Sequence, residues 1–335
     1  MKNFEQLHRR TFIRSSVVAG LGMSLGFPSL GKSKATEKRV GIIGLDTSHS
    51  LAFTKVLNEN KDNENYHGYH VVAAYPYGSK TIASSADRIP DYINKIKEYG
   101  IDITDSIQGL LEKVDVVLLE TNDGRLHLEQ AIEVFKSGKR VFIDKPIAAS
   151  LKDSIAIFDA AKKYNVPVFS ASSLRYIKGI EKLEGRIIVG ADTYSPASIE
   201  PTHPDLFWYG IHGVETLFTA LGPGCVSVTR THTEFTDIVT GIWEDGKVGT
   251  FRGTRSGDSG FGGTVFTDKG AIVLGPYGGY EPLLKEIAIF FETGVVPVQA
   301  EETLEIMAFM AAADESKIKG GRSIKLADIM KKNRR

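Results

Sequence analysis

Arg39-Val40-Gly41-Ile42-Ile43-Gly44-Leu45-Asp46-Thr47-Ser48-His49 is the stretch on which the fold reading turns. Its first five residues form a short apolar run without polar alternation, the pattern of a strand covered on both faces. Gly44 opens a turn, and residues 50–58 read as a helix whose Leu51, Ala52, Val56 and Leu57 face the strand. Outward from this strand–turn–helix unit the alternation repeats. Strands are predicted at 71–74, 101–103, 114–119, 141–143 and 166–169, and amphipathic helices at 126–137 and 151–164. Such alternation predicts a parallel sheet with crossover helices, an α/β doubly wound domain.

The chain has 335 residues, 42% of them apolar and 24% charged, with a formal net charge of zero. That length can bury a large core and predicts two domains. Without a basic excess, neither nucleic acid nor a membrane surface is expected as a partner. Cys225 is the single cysteine, and no Cys/His cluster has zinc-ligand spacing, so no disulfide and no metal site is assigned.

Residues 1–35 stand apart from the fold. His8-Arg9-Arg10-Thr11-Phe12-Ile13-Arg14 leads into a weakly apolar run diluted by Gly20, Gly22, Ser24 and Gly26, with Ser33-Lys34-Ala35 as a small-x-small cleavage site. The pattern predicts a twin-arginine type of export signal and hence a periplasmic or otherwise exported protein. The rival readings are a retained anchor, for which the run is short and glycine-rich, and a basic tail. Twin-arginine export moves folded proteins, so a cofactor bound in the cytoplasm can travel with the chain.

After residue 36 the expected organisation is a dinucleotide-binding domain over 36–170 and a second domain over 171–335. In the second, strands are predicted at 226–231, 238–243, 248–254, 264–267 and 271–274, with Glu244-Asp245-Gly246 and Asp268-Lys269-Gly270 as hairpin turns. The glycine-rich run 255–263 reads as a loop over the cleft or at an oligomer edge. Residues 301–316 read as a helix with a core-facing stripe.

Candidate chemistry starts at Arg140-Val141-Phe142-Ile143-Asp144-Lys145-Pro146. Pro146 holds Lys145 extended and stops the strand, so the ammonium points out of the sheet end, where open α/β sheets bind ligands. It is either a proton donor or a solvated strand-end amine. Against the dinucleotide pattern G-x-G-x-x-G the first turn keeps only Gly44, with Asp46 and His49 at the other glycine positions. A carboxylate about 4 Å from a phosphate opposes it by about 4 kcal/mol at an effective dielectric near 20. Unless Asp46 turns away, that lowers affinity about a thousandfold. In the alternative reading Asp46, Thr47 or Ser48 caps the helix, and the Thr47 and Ser48 hydroxyls can still help hold a displaced phosphate. The second strand ends in Tyr75-Pro76-Tyr77-Gly78-Ser79-Lys80 without the acidic residue of NAD-selective folds. Ser79 and Lys80 can accept a 2′-phosphate and Tyr75 or Tyr77 can stack on adenine, which leans the cofactor from NAD toward NADP; a plain surface loop is the other reading.

These elements together resemble the Gfo/Idh/MocA oxidoreductases, the family of glucose–fructose oxidoreductase and inositol dehydrogenase, over nearly everything after residue 36. The resemblance is carried by Gly41-Ile42-Ile43-Gly44, Thr121-Asn122 with His127, Asp144-Lys145-Pro146 in place of Glu-Lys-Pro, and Arg175-Tyr176. Gly210-Ile211-His212-Gly213-Val214-Glu215 and Tyr280-Glu281-Pro282-Leu283-Leu284-Lys285-Glu286-Ile287 complete it. It implies an N-terminal Rossmann domain and a C-terminal α/β domain whose open, mostly antiparallel sheet mediates homo-oligomers. It further implies NAD or NADP as cofactor and a sugar- or polyol-like substrate. Lys145 would bond the nicotinamide ribose and the reacting hydroxyl, and His212 would be the acid/base; a buried structural histidine is the competing reading. The cofactor set it implies is Gly44, Asp46, Thr47, Ser48, His49, Thr121, Asn122, His127, Asp144 and Lys145, with His127 the member most suited to a structural role. The substrate set is Arg175, Tyr176, Trp208 and Glu215.

The chain departs from the family at Trp208, where many members carry a carboxylate four residues before the histidine. Glu200, His203 and Asp205 are the nearby candidates for its replacement, and Glu215 can orient the imidazole. Trp208 with Phe207 and Tyr209 forms a stacking platform for a sugar face or fills core. The expected function is therefore an exported nicotinamide-dependent oxidoreductase of a sugar-like alcohol or ketone, with a tightly held cofactor recycled in place. The rival is a ligand-binding protein that kept the fold and lost the redox chemistry.

Overall fold

The computed structural model describes residues 37–257 and 260–334, and residues from Glu37 on form one compact unit. The export-signal reading over 1–35 lies outside the described residues. The first sheet is built from β1 (Lys38–Ile43), β2 (Tyr69–Tyr75), β3 (Asp102–Ile103), β4 (Val116–Leu119), β5 (Val141–Ile143) and β6 (Val168–Ser170). Its helices are α1 (Ser48–Glu59), α2 (Ala83–Ala86), α3 (Ile89–Lys97), α4 (Ile107–Leu111), α5 (His127–Lys136) and α6 (Leu151–Tyr164). The strands run in parallel in the order β3-β2-β1-β4-β5-β6, so the topological switch point lies between β1 and β4. β4 and β5 are buried at every position, as their unbroken apolar runs require when helices cover both faces. Helix α1 begins two residues earlier than expected because Thr47 caps it, its Oγ1 accepting the His49 N–H at 3.4 Å.

The second sheet takes β7 (Ile188–Pro196), β8 (Cys225–His232), β9 (Thr236–Trp243), β10 (Val248–Thr254), β11 (Gly262–Thr267), β12 (Gly270–Leu274) and β13 (Ile324–Lys325). Around it lie α7 (Asp205–Trp208), α8 (Ile211–Leu221), α9 (Glu281–Thr293), α10 (Ala300–Ile318) and α11 (Leu326–Asn333). The order is β12-β11-β7-β10-β9-β8-β13, antiparallel except where β7 runs parallel to β10. Central strand β7 escapes the sequence pattern because its inward positions are Ala191, Thr193 and Ser195, small or polar residues that give no apolar alternation. They are small because α8 lies on them. A Cβ at Gly213 would stand 2.3 Å from the Phe251 ring, so only glycine lets the helix approach this closely.

Helix α9 belongs to the first core. Leu283, Leu284, Ile287, Phe290 and Phe291 pack with Phe142 and Phe169, so the chain returns to the nucleotide-type sheet after building the second. That return fixes the loop before α9, with Tyr277 and Tyr280, over the ends of β1 and β5. Arg230 is fully buried and answered by Asp205 at 2.8 Å, Asp237 at 2.8 Å and Asp314 at 2.5 Å. On the outer face of the second sheet Tyr194, Val226, Ile242, Val248, Phe266 and Val273 are exposed.

Candidate active site between the two sheets

Lys145 leaves the end of β5 beside the switch point. Its N–H is held by its neighbour Asp144, whose Oδ1 accepts at 2.8 Å, and the side chain is 9% exposed. Among the described residues no carboxylate lies within ion-pair range of its ammonium. The other oxygen of Asp144, Oδ2, meets His49 Nδ1 at 2.6 Å. Burial pushes the Asp144 carboxyl up, but His49 and the charge and N–H of Lys145 outweigh it and hold the group at about 2.

From the other side, α8 delivers His212 in its first turn, with Nδ1 2.7 Å from Ser172 Oγ. That hydroxyl also accepts the Leu174 N–H at 3.1 Å, so its one proton and remaining lone pair are free for the imidazole. Burial, then the Lys145 charge, then His49 keep the His212 pKa well below histidine's ordinary 6.5. Lys145, His49, Asp144 and His212 therefore share one electrostatic environment. Aromatic rings narrow it: Tyr209 and Phe261 lie 5.1 and 5.7 Å from His212, and Tyr280 lies 4.9 Å from His49. Phe261 comes from the glycine-rich loop, which thus reaches the cleft.

A depressed His212 pKa makes the imidazole neutral at pH 7, able to accept a proton from an alcohol. In an NMR titration of the folded protein the His212 ring should protonate only below pH 6.5. Lys145→Met should move that transition upward, because it deletes the cation that disfavours imidazolium. An unmoved transition would mean that the two groups are not coupled.

Glu120 is the site residue that sequence reading passed over. It follows β4, is fully buried, and neither carboxylate oxygen has a partner. Burial, and after it Asp144, raise its pKa well above the usual carboxylate range. The signal was present in the sequence: an acidic residue closes the apolar run Val116-Val117-Leu118-Leu119 at the sheet's ligand edge.

The turn after β1 departs from the expected phosphate cradle. Asp46 is fully buried; its Oδ2 accepts the Ser79 N–H at 3.0 Å and its Oδ1 the Asn122 N–H at 2.9 Å. Asp46 and Asn122 thus form a bridge between the loops after β2 and β4. The bridge continues from Ser79 Oγ to Asp123 at 2.8 Å, from Asn122 Nδ2 to Ser85 at 2.9 Å and from Arg125 to Thr81 at 2.6 Å. A Cβ on Gly78 would stand 2.1 Å from Asp46, so this loop can lie on the carboxylate only as glycine. Ser79, 1% exposed and committed to Asp46 and Asp123, is not available to a 2′-phosphate. A dinucleotide runs from the end of β2 across the β1 turn. On that path the diphosphate would pass the Asp46 bridge, and the nicotinamide end would lie toward Lys145 after β5.

The other expected residues fall into place around this geometry. Gly44 has φ +93° and faces Thr121, whose backbone leaves no room for a Cβ. Thr47 is the helix cap, and Ser48 opens α1. His127 is fully buried with its ring nitrogens on the Ile147 and Thr121 carbonyl oxygens, so it ties two loops together. Arg175 and Glu215 are corrected from substrate contacts to a buried ion pair at 2.9 Å, completed by Glu302 and by the Ser172 N–H. Glu215 thereby positions Ser172 and, through it, His212. Tyr176 packs against the first core, and Trp208 packs at a tilt against His203 with ring centroids 5.0 Å apart. Asp205 is bound to Arg230 and Lys317, and Glu200 bonds Thr202, so neither replaces the carboxylate absent at position 208. His203 faces Asp123 instead of His212.

Comparison with known proteins matches residues 38–172 to GFO_IDH_MocA, an oxidoreductase family with an NAD-binding Rossmann fold. A curated relative described as an uncharacterized oxidoreductase, from Streptococcus pneumoniae, is 33% identical over 94 residues. That stretch is 27% of this chain and spans only a quarter, 25%, of the relative's length. Among solved structures, the chain resembles myo-inositol dehydrogenase from Lactobacillus casei in complex with NAD(H) and myo-inositol, with TM-score 0.67 and 17% identity over 86% of this chain and 96% of that one. It also resembles myo-inositol 2-dehydrogenase from Lactobacillus plantarum, with TM-score 0.69 and 15% identity over 86% of this chain and 99% of the other. At such identities the likeness is one of fold, and it extends through both sheets.

Proposed function

We propose that this protein is an NAD(P)-dependent oxidoreductase of a sugar- or polyol-like secondary alcohol or ketone, a reading supported by the match of residues 38–172 to the Gfo/Idh/MocA oxidoreductase model. The observation that carries the proposal is that the strand-end Lys145 acts electrostatically on His212, which Ser172 holds at 2.7 Å and which the Tyr209 and Phe261 rings flank at 5.1 and 5.7 Å. Neutral His212 takes the hydroxyl proton on oxidation and returns it on reduction. The Lys145 ammonium, free of ion pairs, stabilises the alkoxide that develops between those states. Ser172 orients the imidazole, and rotation of its hydroxyl selects which ring nitrogen carries the proton. A nicotinamide, where bound, exchanges the hydride. The myo-inositol dehydrogenase resemblance supports a polyhydroxylated substrate.

The paired arginines near the N-terminus support export, and an exported nicotinamide enzyme needs a cofactor that stays bound and is recycled in place. The exposed apolar face of the second sheet supports self-association of the chain.

The test is the absorbance and fluorescence of protein purified from its native compartment, followed by calorimetry with NAD(H) and NADP(H) and turnover with a sugar and polyol panel. A nicotinamide signal released on denaturation, or nucleotide-dependent turnover, is the expected result. The closed Asp46 bridge favours a second reading, a sugar-binding protein without redox chemistry. Sugar binding with neither endogenous nor added nucleotide would select it and overturn the first.

A further inference from the structure

We propose that His49, Glu120 and Asp144 form a divalent-cation site at the switch point, a site that goes beyond the oxidoreductase reading and does not depend on it. The three residues come from adjacent strand ends: His49 from the first turn of α1, Glu120 after β4 and Asp144 after β5. One ligand atom of each lies within 4.8 Å of the others. The carboxylates stand on hydrogen-bonded backbone, Glu120 N–H donating to Ile43 O at 2.7 Å and Asp144 N–H to Leu119 O at 2.9 Å, so their bases are fixed.

Glu120 is the independent sign of a ligand. It is fully buried, aimed at the His49–Asp144 pair, and both its oxygens lack any partner among the described residues. Buried carboxylates are paired, protonated or bound to metal. The lysine nearby leaves two carboxylates for one cation, and a divalent ion would offset the difference. One imidazole and two carboxylates suit an ion of the manganese, iron(II) or zinc class and leave coordination positions open. Lys145 and His212 share the electrostatic surroundings of the three ligands, and two neighbouring substrate oxygens, as in a vicinal diol or hydroxy-ketone, would complete the shell. Sequence spacing could not reveal the set, since the ligands are 71 and 24 residues apart and meet only in the parallel sheet.

The experiment uses the full chain, stripped with EDTA and titrated with Mn2+ and then Zn2+, read by calorimetry, by the Mn2+ EPR signal and by thermal melting. One equivalent should bind and raise the melting temperature. Glu120→Gln and, separately, His49→Gln should weaken binding on the order of a hundredfold and lose the melting shift. Near-UV circular dichroism checks that each variant is folded, and the two variants act through different elements, so failure of one to fold leaves the other to decide. No binding by the wild-type chain, or wild-type affinity in both variants, would overturn the site and leave Glu120 as a proton-bearing acid. The readout is binding, so it stands or falls separately from any nucleotide-dependent turnover.

Discussion

Lys145→Ala should remove turnover, by about a thousandfold in kcat/KM, while the protein stays folded. Positioned acid–base groups typically contribute a hundredfold to ten-thousandfold, and Lys145 is the cation in the gap without an ion-pair partner. Its side chain faces that gap instead of the core, so truncation opens space to the cleft and leaves no apolar cavity. Its N–H bond to Asp144 belongs to the backbone and survives the change. Circular dichroism and thermal melting should match wild type to within a few degrees. The comparison uses whichever sugar or polyol of the panel turns over best. A rate within threefold of wild type would remove Lys145 from the mechanism and leave His212 without its electrostatic partner.

Asp46→Gly should raise affinity for NAD(H) or NADP(H) a hundredfold or more, at a cost in stability. Two effects act together. Glycine removes a carboxylate that opposes phosphate by about 4 kcal/mol at 4 Å and moderate dielectric. It also unlocks the loops that Asp46 ties through Ser79 and Asn122. The cost arises because two buried N–H groups lose their acceptor, about 1–3 kcal/mol each where water does not replace it. Asp46→Asn separates the contributions, since it keeps the shape and one acceptor but discards the charge. If asparagine gives most of the gain, repulsion is the main barrier; if only glycine does, the bridge is. Calorimetric affinities no better than wild type in both variants would show that this crevice is not a nucleotide path.

The fold was largely legible in the residues. Runs such as Val116-Val117-Leu118-Leu119 and Val141-Phe142-Ile143 are buried on both faces, and continuous burial leaves a continuous apolar imprint. The hairpin strands β8 to β12 were legible through their turns. β7 was not, because its core face is made small to admit α8. α9 carried an amphipathic pattern, yet nothing in that pattern said which of two cores it would join.

For the site the division is sharper. Lys145 stood out because Pro146 constrains it at a strand end, and His212 through the resemblance carried by Gly210-Ile211-His212-Gly213-Val214-Glu215. Arg175, Glu215 and Asp205 looked equally available, and each is consumed by a distant partner: Glu302, Ser172, or Arg230 with Lys317. Local sequence reports which side chains exist, whereas partner choice depends on contacts dozens of residues away.

Periodicity and turn chemistry, being local, determined a parallel sheet with crossover helices, a second sheet of hairpin strands, and a lysine at the first sheet's ligand edge. Only the tertiary structure decided that Asp46 bridges the Ser79 and Asn122 N–H groups and that Glu120 stands unpartnered among the described residues beside His49 and Asp144. The reason is physical: a carboxylate's role is set by the donors, charges and water that surround it, and here those come from strands β1, β2, β4 and β5, which are neighbours in the sheet but not in the chain.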